Sequence, residues 1–105
     1  MSAPQVTKFE EAQEHLKVAV PPPGTADWDR WRARWIAIGP TVSALLVSTL
    51  EEGTESEQYS AMLALRFFGF RVFGDGYYEE FVFLVTPPSG DAFVVVPGIK
   101  PIRYD

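Results

Sequence analysis

TESEQYSAMLALRFFGFRVF, residues 54–73, contains the point where the pattern of the chain changes from helical to extended. It begins with a Ser/Thr-x-x-Glu capping box at Thr54 to Glu57, in which both side chains can bind backbone amides at a helix start. One helical row follows, made of Tyr59, Met62, Leu63, Arg66 and Phe67. Gly69 then provides a helix stop, and the period changes to two from Phe70. The stretch predicts a helix that passes almost directly into a strand.

Three strands are predicted downstream of Gly69, because aromatic and β-branched residues dominate there. They are expected at 70–73, 77–85 and 92–96, separated by turns at 74–76 and 87–90. The segments 81–85 and 93–96 are apolar at every position, so both faces of the sheet need cover. Helices can cover one face. The other face of the sheet could be covered by the short first helix, by a second copy of the chain or by a foreign partner.

Three further helices are predicted before Thr54. The first, at about 8–17, starts at a capping box over 7–10, although 16–20 could instead alternate as a short strand. The second runs from an N-cap at Thr25 to Gly39. The segment 41–50 has apolar residues at helical spacing, and its β-branched residues leave a buried strand as the alternative.

These elements predict an α+β fold in which three to four N-terminal helices pack on one face of a C-terminal three-stranded antiparallel β-meander. A length of 105 residues is the usual size of a single domain. We divide residues 1–105 into an N-terminal helix (1–20), a Pro-rich linker (21–24), a helical part (25–69) and the β-meander with its tail (70–105). The stiff linker leaves open whether the first helix packs on the rest.

Composition narrows the classes of function. Hydrophobic residues make up 47% of the chain and charged residues 22%, enough apolar content for a core without covalent staples. The absence of cysteine excludes disulfides, thiolate metal sites and thiol nucleophiles, and it suits a reducing compartment, so the cytoplasm is predicted. A net charge of −5 repels phosphate backbones, and no stretch reaches the roughly 20 apolar residues of a membrane span. Neither nucleic acid nor membrane is expected as a partner.

No motif carries a specific chemistry. The single histidine, His15, lies four residues after Glu11, and we interpret it as an exposed member of a helical salt-bridge row. One histidine cannot form a His-x-x-x-His pair, and the carboxylates lack the spacing of a calcium loop. The Gly74-Asp75-Gly76 segment lacks the context of a phosphate-binding loop. No catalytic residue, metal site or cofactor is therefore predicted.

Aromatic side chains supply two candidate contact surfaces. Trp28, Trp31 and Trp35 follow at i, i+3 and i+7 on the second helix, which favours a core row, with Trp28 nearest the exposed helix start. The second candidate lies beside the predicted turn at 74–76 and consists of Tyr77, Tyr78, Glu79 and Glu80. Amphipathic aromatics beside a turn are common in contact surfaces.

The leading hypothesis is a small acidic non-catalytic protein-binding protein, such as an inhibitor, an immunity or anti-defence factor, or an assembly chaperone or adaptor. It would occlude or hold a protein partner or form a homodimer through the sheet face. One alternative is a small-molecule-binding or minor enzymatic domain with an aromatic pocket, in which Tyr59, Arg66, Arg71 or a glutamate makes the polar contacts. The other is a structural subunit of a larger assembly.

Overall fold

Four helices precede a three-stranded sheet in the computed structural model of the chain, which describes residues 3–75 and 82–98. The helices are α1 (Ala3–Leu16), α2 (Ala26–Ile38), α3 (Ser43–Glu52) and α4 (Glu55–Phe67), with a 3-10 turn at Pro40–Val42. The strands are β1 (Arg71–Asp75), β2 (Val82–Thr86) and β3 (Phe93–Val95). They form an antiparallel sheet in the order β1-β2-β3, so the predicted α+β meander is confirmed.

The junction between α4 and β1 is built from local hydrogen bonds. The predicted capping box is present: Glu57 N donates to Thr54 Oγ1 over 3.2 Å, and Thr54 N donates to Glu57 Oε1 over 3.0 Å. At the other end Gly69 has a φ of 96°, a conformation that favours glycine. Its amide and that of Phe70 donate back to the last turn of α4, closing a Schellman motif. The chain therefore leaves the helix in a fixed direction and enters the sheet one residue after Phe70.

The helical predictions differ from the structure mainly at the N-terminus. The predicted start of α1 at the 7–10 capping box is wrong, because the helix begins at Ala3 and Thr7 lies within it. Pro4 fits the first turn of a helix, where its missing amide proton loses no intrahelical bond. Residues 17–20 are not a strand, and the 41–50 segment is helical, so the strand alternatives for both are wrong.

The first predicted turn of the sheet is placed too early. Gly74 and Asp75 belong to β1, where they pair with Phe83 and Val82. The ladder hydrogen bonds of the sheet thus override the local turn tendency of glycine and aspartate. The second strand begins no earlier than Val82 within the described residues, and the first part of the predicted 77–85 strand lies outside them.

The core lies between the helices and one face of the sheet. Its largest fully buried apolar side chains are those of Trp35, Val42, Leu46, Leu50, Leu65, Val72 and Val85. On the sheet side α4 packs against β1, and α3 packs against β3. The first helix packs against α2, α4 and the 3-10 turn, so the proline linker does not hold it apart from the body.

The buried face of α4 is displaced from the row that its sequence suggests. Ala61, Ala64 and Leu65 are completely buried, whereas Tyr59 is 48% exposed. Gln58 is also buried, and its side-chain amide donates to Leu50 O over 3.0 Å, joining α4 to the end of α3. Small alanine side chains allow neighbouring elements to approach closely. The buried face of α4 is therefore not the face that carries its largest apolar residues.

A sharp bend separates α2 from the segment that follows it. Gly39, with a φ of 90°, ends α2, and Pro40 starts the 3-10 turn. Among the described residues, no single helix has the length and apolar composition of a membrane span. Ala26–Ile38 and Pro40–Glu52 meet those two criteria only when joined, and they are bent by 79° at their junction.

Candidate functional site

The sheet presents its second face to solvent, and that face is apolar. Phe73 pairs with Leu84, and Leu84 pairs with Val94, so one cross-strand row runs over all three strands. These side chains are 52%, 37% and 54% exposed, respectively. Val96, two residues beyond Val94, is exposed as well. We call the surface formed by Phe73, Leu84, Val94, Val96 and the adjacent Arg71 the outer face.

Strand alternation explains why this row is on the outside. Val72, Phe83, Val85 and Val95 are the intervening residues, and all four are buried against the helices. The sheet is therefore apolar on both faces, as predicted, but only its inner face is covered by the helical layer. The first helix packs within that helical layer instead, and the exposure of Phe73 and Val94 shows that it does not shield them.

Two arginines lie beside Phe73 at the β1 edge of the outer face. Arg71 precedes Phe73 by two residues on the same side of the strand and is exposed. Its side chain has neither a hydrogen bond nor an ion pair within the described parts of the chain. Arg66 comes from the last turn of α4. Its Nε and Nη2 donate to Val72 O over 3.1 and 2.7 Å, and its Cζ lies 5.8 Å from the Phe73 ring centroid.

The contact with Arg66 also limits how the sheet can be extended. Val72 O lies on an edge strand, and the guanidinium occupies this acceptor. A foreign strand that approached β1 at Val72 would have to displace it. This contact protects one hydrogen-bonding position of the β1 edge, whereas the outer face is exposed. A row of apolar side chains flanked by cationic arginines can hold an apolar segment that also carries carboxylates.

The structure places only one of the predicted contact residues. Trp28 is half-buried, with its ring centroid 5.3 Å from that of Trp31 and 6.0 Å from that of Phe67. It therefore covers the end of the aromatic core and is not part of the outer face. The second predicted surface, Tyr77, Tyr78, Glu79 and Glu80, lies outside the described residues.

His15 is buried between the first two helices and not exposed as predicted. It is only 5% exposed, its Nε2 lies 3.0 Å from Trp31 O, and its ring centroid lies 4.8 Å from that of Trp35 and 5.7 Å from that of Trp31. The predicted exposed salt-bridge row is thus wrong. Ala12 and Leu16, both buried, are on the same helical stripe as His15, and their spacing is the signal that could have revealed its burial.

Burial determines the charge of His15. Desolvation lowers the pKa of this imidazole from its ordinary value of 6.5, and the hydrogen bond with Trp31 O opposes the shift. The positive charge of Arg34 adds to the lowering of the pKa. Because the carbonyl accepts, Nε2 carries the proton of the neutral ring. The histidine therefore joins α1 to α2 as a neutral donor.

The outer face itself was only partly anticipated. The continuous apolar runs at 81–85 and 93–96 predicted a sheet that needs cover on both sides, but not which side the helices occupy. Phe73 and Arg71 were not singled out as a pair, because their proximity to Leu84 and Val94 depends on strand register. The alternation of Arg71, Val72 and Phe73 around one buried valine is a signal that could have found them.

No group of three or more His, Asp or Glu side chains within residues 3–75 and 82–98 is arranged to hold a metal ion. Comparisons with known proteins gave no match: no protein-family model matches the chain, and no curated protein sequence or solved structure is significantly similar to it. The function has to be inferred from the geometry of this chain.

Proposed function

We propose that this protein is a small non-catalytic protein-binding protein whose outer face holds an apolar, carboxylate-bearing segment of a partner protein. The observation that carries the proposal is the exposed cross-strand row Phe73, Leu84 and Val94, with Arg71, which has no ion pair within the described residues, on the same face. Inhibitors, immunity factors and assembly chaperones or adaptors all work by such occlusion or holding. The cysteine-free composition supports action in the cytoplasm.

The energetics favour a partner over continuous solvent exposure. Fully burying a large apolar side chain contributes roughly 1.5–3 kcal/mol, so half-exposed residues such as Phe73 and Val94 retain a substantial part of that free energy for binding. Aromatic and arginine side chains are enriched among interface residues that dominate affinity. Phe73, Arg66 and Arg71 supply this combination at one edge of the outer face.

Charge complementarity selects the kind of partner. The chain as a whole carries a net charge of −5, and its surface repels other acidic proteins over long distances. Arg71 has no carboxylate partner within the described residues, and the Arg66 Cζ lies 5.8 Å from the Phe73 ring centroid. A partner segment whose apolar side chains are flanked by aspartate or glutamate would pack on the apolar row and form an ion pair with Arg71.

The test compares proteins captured from the source cell by the wild-type chain and by outer-face variants. F73S/V94S removes apolar contact, and R71E reverses the local charge. Each variant should therefore capture at least tenfold less of the partner than the wild type does. I36S is the matched control, because Ile36 is another exposed apolar residue, on α2. Circular dichroism and thermal unfolding establish that every variant is folded.

Two results would overturn the proposal. One is capture of the same proteins in equal amounts by the wild type and F73S/V94S, and the other is the absence of any protein that the wild type and I36S capture but F73S/V94S and R71E lose. Light scattering at two concentrations tenfold apart tests self-association. A dimer of the 11.8 kDa chain that dissociates in F73S/V94S would show that the outer face binds a second copy and not a foreign segment.

A further inference from the structure

A groove runs between the C-terminal half of α1, the residues after it, and α2. Its volume is about 1110 Å³, slightly above the roughly 300–1,000 Å³ of small-molecule sites, and it is an open cleft and not an enclosed cavity. Apolar lining comes from Val18, Val20 and Pro21 on one side and from Trp31 and Ala33 on the other. We call it the α1–α2 groove; it shares no lining residue with the outer face.

Four charged side chains line this groove, and they divide into two kinds. Arg30 and Asp27 form an ion pair with each other, so they largely neutralise one another. Arg34 and Glu14 have no side-chain hydrogen bond or ion pair within the described residues, although both line the groove. The α1–α2 groove therefore contains one free cation and one free anion around an apolar surface.

The two free charges are held on separate helices. Glu14 belongs to α1 and Arg34 to α2, and they do not approach within the 4.0 Å of an ion pair. The helices are fastened beside the groove by His15, which is buried and lies 3.0 Å from Trp31 O. A ligand thus meets opposite charges whose carrier helices are already positioned, which lowers the ordering entropy lost on binding.

We infer that the α1–α2 groove binds a short apolar peptide with free termini, its carboxylate at Arg34 and its ammonium at Glu14. The apolar side chains of the peptide would lie on Val18, Val20 and Pro21, above the buried Trp31. A purely apolar ligand would leave both charges unused, and a simple anion would face Glu14 as well as Arg34. A zwitterionic ligand complements both Arg34 and Glu14, the two charged side chains of the groove that lack a partner within the described residues.

The experiment is an NMR titration of the full chain with the tripeptide Val-Leu-Val, alongside its N-acetylated and C-amidated forms. The free tripeptide should shift the Trp31 indole resonance and the amides of 18–20, and R34Q and E14Q should each weaken its affinity about fivefold. The C-amidated peptide has no carboxylate, so R34Q should leave its affinity unchanged. By the same logic, E14Q should not affect the N-acetylated peptide.

R32Q is the matched control, since Arg32 is on the same helix but its Cζ lies 5.3 Å from the Phe67 ring centroid, and it does not line the groove. Equal binding of the free tripeptide by the wild type, R34Q and E14Q would overturn the inference. So would equal affinity for the free, the N-acetylated and the C-amidated peptides, or shifts confined to residues outside the groove. Because the outer-face variant F73S/V94S should bind the tripeptide normally, this test is independent of the proposed function.

Discussion

The contact between α1 and α2 and the outer face of the sheet use similar side chains in opposite ways. Between the helices, Trp31 and Trp35 are buried beside His15, which donates to a carbonyl of the neighbouring helix. On the sheet, Phe73 and Val94 remain half exposed, and Phe73 lies beside Arg66. A surplus of aromatic residues in a small chain therefore does not by itself identify a contact surface. An aromatic side chain is available for contact only where no other element of the chain packs over it.

The largest effect is expected where the helical contact is densest. W35A should lower the free energy of unfolding by about 3–5 kcal/mol, because Trp35 is completely buried and its removal leaves a cavity. F73A, on the outer face, should lower it by less than about 1 kcal/mol. Urea denaturation of both variants measures the difference. Equal losses would mean that the outer face is part of the core, contrary to the comparison.

His15 should make the helical contact sensitive to acid. Because its pKa is lower in the folded chain than the ordinary 6.5, the unfolded chain binds a proton first as the pH falls below that value. The free energy of unfolding should therefore decrease as the pH falls through this window, until the folded-state pKa is also passed. Chemical denaturation at pH 7.5 and 5.5 tests the direction.

H15Q provides the control for this pH dependence, since glutamine keeps a donor but does not titrate. At pH 7.5 H15Q should lower the free energy of unfolding by roughly 1–3 kcal/mol, because the contacts with Trp31 and Trp35 are lost. Its stability should then fall less than that of the wild type between the two pH values. A parallel decline in both proteins would assign the acid sensitivity to carboxylates and not to His15.

Adjacent residues of β3 allow the two sides of the sheet to be compared within one strand. V95T places a hydroxyl on the buried side and should lower the free energy of unfolding by about 1–2 kcal/mol. V94T, on the outer face, should change this free energy by no more than about 0.5 kcal/mol. Thermal unfolding of the two variants provides the measurement. A larger loss in V94T would show that the outer face is covered within the chain.

Arg66 connects the helical layer to the outer face, and its loss should have a smaller effect than the changes to the buried side chains. R66A removes two hydrogen bonds to Val72 O and the contact with the Phe73 ring, which predicts a loss of about 1 kcal/mol. R66K should not restore all of it, because an ammonium lacks the planar fork of the guanidinium. If urea denaturation showed R66K to be as stable as the wild type, the positive charge of Arg66 alone would account for its contribution to stability.

Much of the candidate site could be inferred only after register was known. The sequence predicted that the strands at 81–85 and 93–96 are apolar on both sides, which is a local property of each strand. The row that joins Phe73, Leu84 and Val94 depends on how three strands align, and strand alignment is set by long-range pairing. Trp28 was a candidate contact because of its place near a helix start, but packing against Trp31 and Phe67 places it at the edge of the core.

The sequence alone determined the class of fold, the capping box at Thr54 and the change from helix to strand at Gly69. These follow from hydrogen bonds and periodicities that span only a few residues, so a local pattern suffices to specify them. Only the tertiary structure decided that His15 is buried and that the sheet keeps one apolar face open. Both outcomes depend on which element packs against which, a choice made by contacts between residues distant along the chain.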